Sequence, residues 1–285
     1  MDNITIVNLV PKFLDFYEKA SVNGVGEQER WELWKEHYHF AAVPPGEQGL
    51  KVARELLNNV WEKYGEHISN IEKVKLDQEE VQQFLSKVKT LLGYKNSIEL
   101  TLVYFVGGFE NNAFVAPTNS GGIALCLPVE GGPSLITLAH ELTHVVHAKT
   151  ATFNGQWERT IAATILQEGL ATHISKYIVP GHRNEDYIVM QEGWLHSCEG
   201  KREEIFSGIY PYLEDSSSET VYKFTMGNGT TNIEREAYFV GWEIVGRLLA
   251  EGKSFQEIAS VKESDMAKYI RQVLLDYNYI DTSNN

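Results

Sequence analysis

The segment Leu138–His144, which reads LAHELTH, constrains this chain more than any other. It lies within a stretch from about Ser134 to Lys149 that has helical apolar spacing, and this predicts one helix. Residues four positions apart on a helix have Cβ atoms about 5–6 Å apart, so His140 and His144 can bind one metal ion. Glu141 is turned about 100° from His140, beside the place where a metal-bound water would sit. The pattern favours a zinc site with Glu141 as general base over a buried histidine pair that only satisfies hydrogen bonds.

A third ligand is predicted on a second helix, from about Trp157 to Ile178. Glu168 lies among apolar residues there, and a buried carboxylate needs a cation or several hydrogen-bond donors. Gly169 beside it costs a helix about 1 kcal/mol relative to Ala, which indicates a close approach by another group. Glu168 follows His144 by 24 residues, enough for the chain to turn and return antiparallel. An exposed or salt-bridged role for Glu168 is the alternative.

His147 competes with Glu168 as a ligand, since it follows His144 by three residues. Three ligands on one straight helix would spread over about 10 Å along the axis, at 1.5 Å per residue, which is too far for one ion. We therefore expect His147 to support a ligand or to lie on the surface.

Upstream of the motif, residues 1–95 are expected to be helical, and their aromatic stripes favour core packing over a ligand site. Three strand-like stretches follow, at about 98–106, 111–117 and 122–128, and the proline that ends the second suits a sheet edge. We expect an α+β fold that is predominantly helical, with a small mixed sheet before the motif helix. Three regions are predicted: residues 1–95, a core at 96–180, and a helical region at 181–285.

Charge and composition restrict the partners. The formal net charge of −14 makes nucleic acid an unfavourable partner. No apolar run approaches the roughly 20 residues that span a bilayer, and the N-terminus has no basic segment of the secretory type. The two cysteines, Cys126 and Cys198, form no disulfide framework. A cytoplasmic location is therefore expected.

A later helix, from about Ile233 to Leu249, carries candidates for stabilising an oxyanion opposite the metal. Tyr238 is the preferred candidate, and a core role is its alternative. The guanidinium of Arg235 and, less favourably, the imidazole of His196 remain alternatives.

With these residues, the chain resembles the gluzincin metallopeptidases. Over most of its length it is similar to the bacterial predicted zinc-dependent proteases of the YjaZ type, which share the motif helix, the sequence EGLA at Glu168–Ala171 and a late Tyr238-x-x-Gly241 helix. The resemblance implies a zincin-like core, zinc held by His140, His144 and Glu168, and Glu141 as the catalytic base. The thermolysin pattern has an aspartate where this chain has Thr172, so the support of one histidine must be built differently.

The function expected from the sequence is a zinc-dependent peptidase acting on a peptide or protein substrate. Two alternatives remain open. One is a zinc hydrolase of non-peptide amides or esters, and the other is a non-catalytic binding protein on the same scaffold.

Overall fold

The structure is a computed structural model that describes residues 2–44, 46–75, 77–117, 122–132, 134–153, 159–188 and 191–277. Within these ranges, twelve α-helices and four β-strands form a mostly helical α+β fold with a small mixed sheet, which confirms the expected class. The chain divides into two compact units: unit 1 is Met1–Gln83 with Asn96–Glu141, and unit 2 is Phe84–Lys95 with Leu142–Asn285. The threefold division expected from the sequence stays a prediction.

The first nine elements include all the described strands. They are β1 (Asn3–Asn8), α1 (Val10–Ala20), α2 (Glu27–His37), α3 (Glu47–Ile71), α4 (Gln78–Leu92), β2 (Glu99–Phe105), β3 (Phe114–Pro117), β4 (Ile123–Pro128) and α5 (Leu135–Thr150). The remaining helices belong to unit 2. They are α6 (Ile161–Ile178), α7 (Trp194–Gly200), α8 (Arg202–Ile209), α9 (Ser218–Thr225), α10 (Glu236–Ala250), α11 (Phe255–Ala259) and α12 (Glu263–Asp276).

The sheet of unit 1 has the strand order β1-β2-β4-β3. Strands β1, β2 and β4 are parallel, and β3 pairs antiparallel with β4 at one edge. The three strands expected before the motif helix are therefore confirmed, and so is the edge position of the second one. The turn between β3 and β4 falls mainly on residues 118–121, outside the described part of the chain.

The expectation that the chain is helical from its first residue is wrong for Asn3–Asn8. This segment is a strand that pairs in register with β2, from Asn3 opposite Glu99 to Asn8 opposite Tyr104. Its alternation around Ile4 and Ile6 is a strand signal, but the segment is short. Its hydrogen-bond partners are some 96 residues away, so the pairing depends on tertiary structure.

The aromatic residues of the N-terminal helices form the core of unit 1, as expected. Trp31 and Trp34 are buried and stack with ring centroids 4.8 Å apart. Phe13 is 1% exposed and meets Tyr38 and Tyr64 edge-on at 5.3 and 4.9 Å. This packing favours a structural role over a ligand site.

The motif helix and the second helix form where the sequence places them. Ser134 caps α5, since its hydroxyl accepts a hydrogen bond from the amide of Thr137. Helix α6 begins at Ile161, and its cap residue Thr160 accepts from Ala163. The expected start near Trp157 lies outside the described residues. No helix in the described ranges combines the length and apolar character required to cross a membrane.

Helices α6 and α10 pack backbone to backbone within unit 2. A Cβ added to Gly169 would collide with the carbonyl oxygen of Gly241, and a Cβ added to Gly241 would collide with that of Ile165. The close approach that Gly169 indicates in the sequence is therefore real, and the approaching group is the α10 backbone. This contact holds the middle of α6, where Glu168 lies, against α10.

Candidate metal centre

Helix α5 brings the two motif histidines and Glu141 together. One possible ligand atom from each of His140, Glu141 and His144 lies within 4.8 Å of the others, and all three residues are half-buried. The opposite face of α5 is apolar and buried, with Leu142 and Val146 both fully enclosed. The helix is thus oriented by its apolar face, and the three polar side chains form a group that could hold a metal ion.

Glu168 on α6 faces His144 on α5. Its Oε1 lies 3.5 Å from Nε2 of His144, and the two side chains are 13% and 18% exposed. This separation is longer than the roughly 2.7–3.2 Å of an ordinary hydrogen bond to nitrogen. The structure therefore brings Glu168 to the motif histidine that lies in the same unit.

Thr172, one turn after Glu168, bonds inside its own helix. Its hydroxyl lies 2.8 Å from the carbonyl oxygen of Glu168 and 3.0 Å from that of Gly169, and it donates to these acceptors. This hydroxyl belongs to the helical backbone network, where serine and threonine commonly bond back to the preceding turn. The Thr172 side chain therefore bonds within α6 and not to a histidine of the motif.

His147 is fully buried, which excludes the surface position that was one of its two expected roles. Its ring meets Phe153 edge-on at 5.3 Å, and neither ring nitrogen has a hydrogen-bond partner among the described residues. Burial, with smaller contributions from His144 and Arg159, lowers the pKa of His147 to about 3. The imidazole is therefore neutral in the folded protein near pH 7.

Arg159 is a charged neighbour of Glu168 that the sequence reasoning missed. Its guanidinium packs 4.7 Å from the ring centre of Phe153 and donates a 2.9 Å hydrogen bond to Oε1 of Gln167. Burial lowers the pKa of Arg159, while the charges of Glu263 and Glu168 oppose this shift. The sequence does show an arginine just before an apolar helix. Its hydrogen bond to Gln167 does not follow from a regular helical spacing.

The three candidates for an oxyanion partner differ in exposure. Tyr238 is half-buried in the first turn of α10, and the guanidinium of Arg235 lies 5.7 Å from the centre of its ring. Arg235 has a left-handed backbone with φ 60°, which a residue with a Cβ adopts at a cost. The side chain of His196 is 92% exposed and lies 3.9 Å from Glu199. These roles stay predictions.

Comparison with known proteins adds no relative to these observations: no protein-family model, curated protein or solved structure matches this chain.

Proposed function

We propose that the protein is a zinc-dependent metallopeptidase of the gluzincin type, with a zincin-like core. The observation that carries the proposal is the arrangement on α5 and α6. Helix α5 presents His140, Glu141 and His144 as one group, and Glu168 of α6 lies 3.5 Å from His144. We infer a cytoplasmic protein, because its two cysteines give no disulfide framework of the kind found in secreted proteins.

The donor set fits zinc. Two neutral imidazoles and one carboxylate are a common ligand set of catalytic zinc sites, and they leave one coordination position open. Two ligand atoms about 2.0–2.2 Å from one tetrahedral zinc lie roughly 3.3–3.6 Å apart. The 3.5 Å between Nε2 of His144 and Oε1 of Glu168 falls in this range. His144 and Glu168 could therefore hold one ion, and His140, the other histidine of the α5 group, would complete the proposed ligand set.

When bound, zinc supplies Lewis-acid polarisation of the substrate carbonyl and lowers the pKa of water in its coordination sphere. Glu141 accepts the proton of the attacking water and delivers it to the leaving amine, as a general base and then a general acid. It is suited to this because its carboxylate lies within 4.8 Å of the histidine nitrogens and is half-buried rather than enclosed.

Tyr238 donates a hydrogen bond to the oxyanion that develops on the scissile carbonyl. A phenol hydroxyl can donate a hydrogen bond, and the Arg235 guanidinium 5.7 Å from the ring of Tyr238 adds positive charge nearby. Arg235 itself is the alternative donor. The high exposure of His196 makes it the weakest of the three.

An extended peptide is the substrate class that this fold suits. Strand β3 is an edge strand, so one side of its backbone has no neighbouring strand in the described sheet. A peptide can add to such an edge through main-chain hydrogen bonds. This favours a peptide over a small amide or ester.

The test compares metal content and peptide hydrolysis in the parent protein and in Glu141→Gln. We expect about one zinc per chain in both proteins by elemental analysis. Hydrolysis of a mixed peptide library, followed by mass spectrometry, should fall by about 10²–10⁴-fold in the variant, because the base is lost while the ligands remain. Hydrolysis at the parent rate would contradict the assignment of Glu141. A parent protein that takes up no zinc, even after reconstitution, would favour the binding-protein alternative.

A further inference from the structure

Unit 1 contains a cavity of about 210 Å³ beside the first turn of α5. Its lining comes from the start of α4, from β2, from the segment before β3 and from the connection between β4 and α5. Pockets that hold whole small-molecule ligands measure about 300–1,000 Å³. This smaller cavity suits a single side chain of a larger ligand.

The lining of the cavity combines two kinds of side chain. It includes the carboxylates of Asp77 and Glu80, together with the side chains of Tyr104 and Asn111. It also includes apolar residues of β4 and α5, such as Leu127 and Leu138. A long cationic side chain matches both, because its methylene stem packs on apolar surface while its charged end remains among polar groups.

The Glu80 carboxylate is available to a ligand. It accepts no hydrogen bond and joins no ion pair within the described part of the chain. Lys75 also lines the cavity, but it forms no ion pair with Glu80 or Asp77. With one lysine and two carboxylates, the formal charge of the lining is −1, which favours a cation.

Tyr104 adds a hydrogen-bonding group to the cavity. The residue is only 6% exposed and lines the cavity, and its hydroxyl forms no hydrogen bond to the described residues. The hydroxyl can therefore donate a hydrogen bond to a ligand group in the cavity or accept one from it. Burial, followed by the charges of Glu80 and Asp77, raises the pKa of Tyr104 to about 12, so the phenol stays neutral beside the carboxylates.

The cavity lies next to the proposed catalytic base along α5. Thr137 lines the cavity, and Glu141 follows it by four residues in the same helix. Residues with this spacing are neighbours on the helix surface, with Cβ atoms about 5–6 Å apart. A peptide bound at Glu141 can therefore extend one side chain into the cavity.

We propose that this cavity is a specificity subsite for an arginine or lysine side chain of the substrate, an inference that rests on the proposed peptidase function. The cationic head group binds at Glu80 and Asp77, with Tyr104 and Asn111 as further acceptors, and the stem lies against Leu127 and Leu138. Arginine fits best, since a guanidinium offers several donors to a carboxylate at once.

Binding to the full-length Glu141→Gln protein tests the subsite without turnover. The probes are peptides of one fixed sequence in which a single arginine is placed at each position in turn, each paired with a norleucine peptide. At one position we expect arginine to bind about tenfold tighter or better by calorimetry, as a hydrogen bond to a charged group implies. Glu80→Gln, added to Glu141→Gln, should remove most of this preference, and Tyr104→Phe should reduce it by a smaller factor.

Glu79→Gln is the matched control, because Glu79 is the exposed neighbour of Glu80 and does not line the cavity. It changes the net charge of −14 by the same amount, so it measures general attraction of basic peptides to an acidic protein. Glu80→Lys should shift the preference towards a glutamate peptide. Thermal unfolding of each variant shows whether it is folded.

Three results would overturn the subsite: equal affinity for arginine and norleucine peptides at every position, no binding of any arginine peptide, or equal losses in Glu80→Gln and Glu79→Gln. Failure of the peptidase proposal gives a different result. The parent would then hydrolyse no peptide, while the arginine preference and its dependence on Glu80 would persist. Peptide hydrolysis without a preference for basic residues would support the peptidase proposal and contradict the subsite.

Discussion

Two glutamates of unit 2, Glu168 in α6 and Glu236 at the start of α10, have very different hydrogen-bonding environments. Glu236 is fully buried and accepts four hydrogen bonds of 2.7–3.0 Å, from the amide and the hydroxyl of both Thr230 and Thr231. Glu168 keeps 13% of its side chain exposed, and its Oε1 faces an imidazole nitrogen of His144 at 3.5 Å.

The difference lies in the partners rather than in the helices. A carboxylate that accepts four bonds from neutral donors has its charge satisfied locally and fixes the loop before α10. A carboxylate that faces a histidine is positioned to share a cation with it. Both lie in largely apolar helices, so apolar surroundings alone do not separate an anchor from a ligand.

The largest expected effect in this comparison is on metal binding. Replacement of Glu168 by Gln should reduce the zinc content well below one per chain and abolish hydrolysis, because a charged ligand is lost. Glu236→Gln should keep its zinc. Elemental analysis after dialysis against a weak chelator provides the measurement. Equal zinc contents in the two variants would contradict the different roles of Glu168 and Glu236.

The loss of stability, in contrast to the loss of zinc, should be larger for Glu236→Gln than for Glu168→Gln. Glu236→Gln turns an amide group towards donors that now lack an acceptor, so we expect a loss of about 2–4 kcal/mol in the free energy of unfolding. Glu168→Gln changes a side chain that is partly exposed and should cost less. Urea denaturation of both variants without metal measures the difference. A smaller loss for Glu236→Gln than for Glu168→Gln would contradict the anchoring role.

The glycine contact between α6 and α10 joins the helices that carry the two carboxylates: Gly169 adjoins Glu168, and Gly241 lies in the same helix as Glu236. Gly169→Ala forces a Cβ against the Gly241 carbonyl oxygen, and we expect it to destabilise the protein by about 1–3 kcal/mol. Since Gly169 adjoins Glu168, the zinc affinity should also fall. Gly200→Ala is the control, because its Cβ would meet nothing within 4 Å. Urea unfolding measures the effect on stability, and zinc titration measures the effect on affinity. If Gly169→Ala changed neither quantity, the two helices would be able to separate at little cost.

A pH dependence of stability is expected at the same helix contact. His173 stacks on Trp242 with ring centroids 4.2 Å apart, and its Nε2 lies 2.8 Å from the Trp242 carbonyl oxygen. Burial lowers its pKa from 6.5 to about 4; the bond to that carbonyl opposes the shift, and Lys176 adds to it. Between pH 6.5 and 4, His173 is protonated in the unfolded chain but stays neutral in the folded protein. His173 therefore makes stability fall by about 1.4 kcal/mol per pH unit as the pH decreases from 6.5 to 4.

His173→Gln should be less stable at pH 7 but should show a shallower decline between pH 6.5 and 4. His196→Gln, in which an exposed histidine is replaced, should keep the parent profile. Urea unfolding at half-unit pH steps gives the comparison. Parallel profiles for the parent and His173→Gln would show that His173 takes up a proton while folded.

Local patterns predicted much of the fold. Helix α5, strands β2 to β4 and the cap of α4 by Asp77 all follow from spacing and capping residues within a few positions of one another. Strand β1 was missed because its evidence is a partner strand some 96 residues later. Gly169 correctly indicated a close approach, but the identity of the approaching helix depends on packing.

The sequence by itself determined that His140 and His144 share one face of a helix with Glu141 beside them, since spacings of three and four residues make neighbours on any α-helix. It also determined the net charge and the apolar stripes that orient the helices. Only the tertiary structure decided which groups meet beyond one helical turn: Glu168 with His144, Arg159 with Gln167, and Glu236 with its two threonines. The physical reason is that helical periodicity is a local property of the backbone. A contact between helices depends on how all the buried side chains pack together.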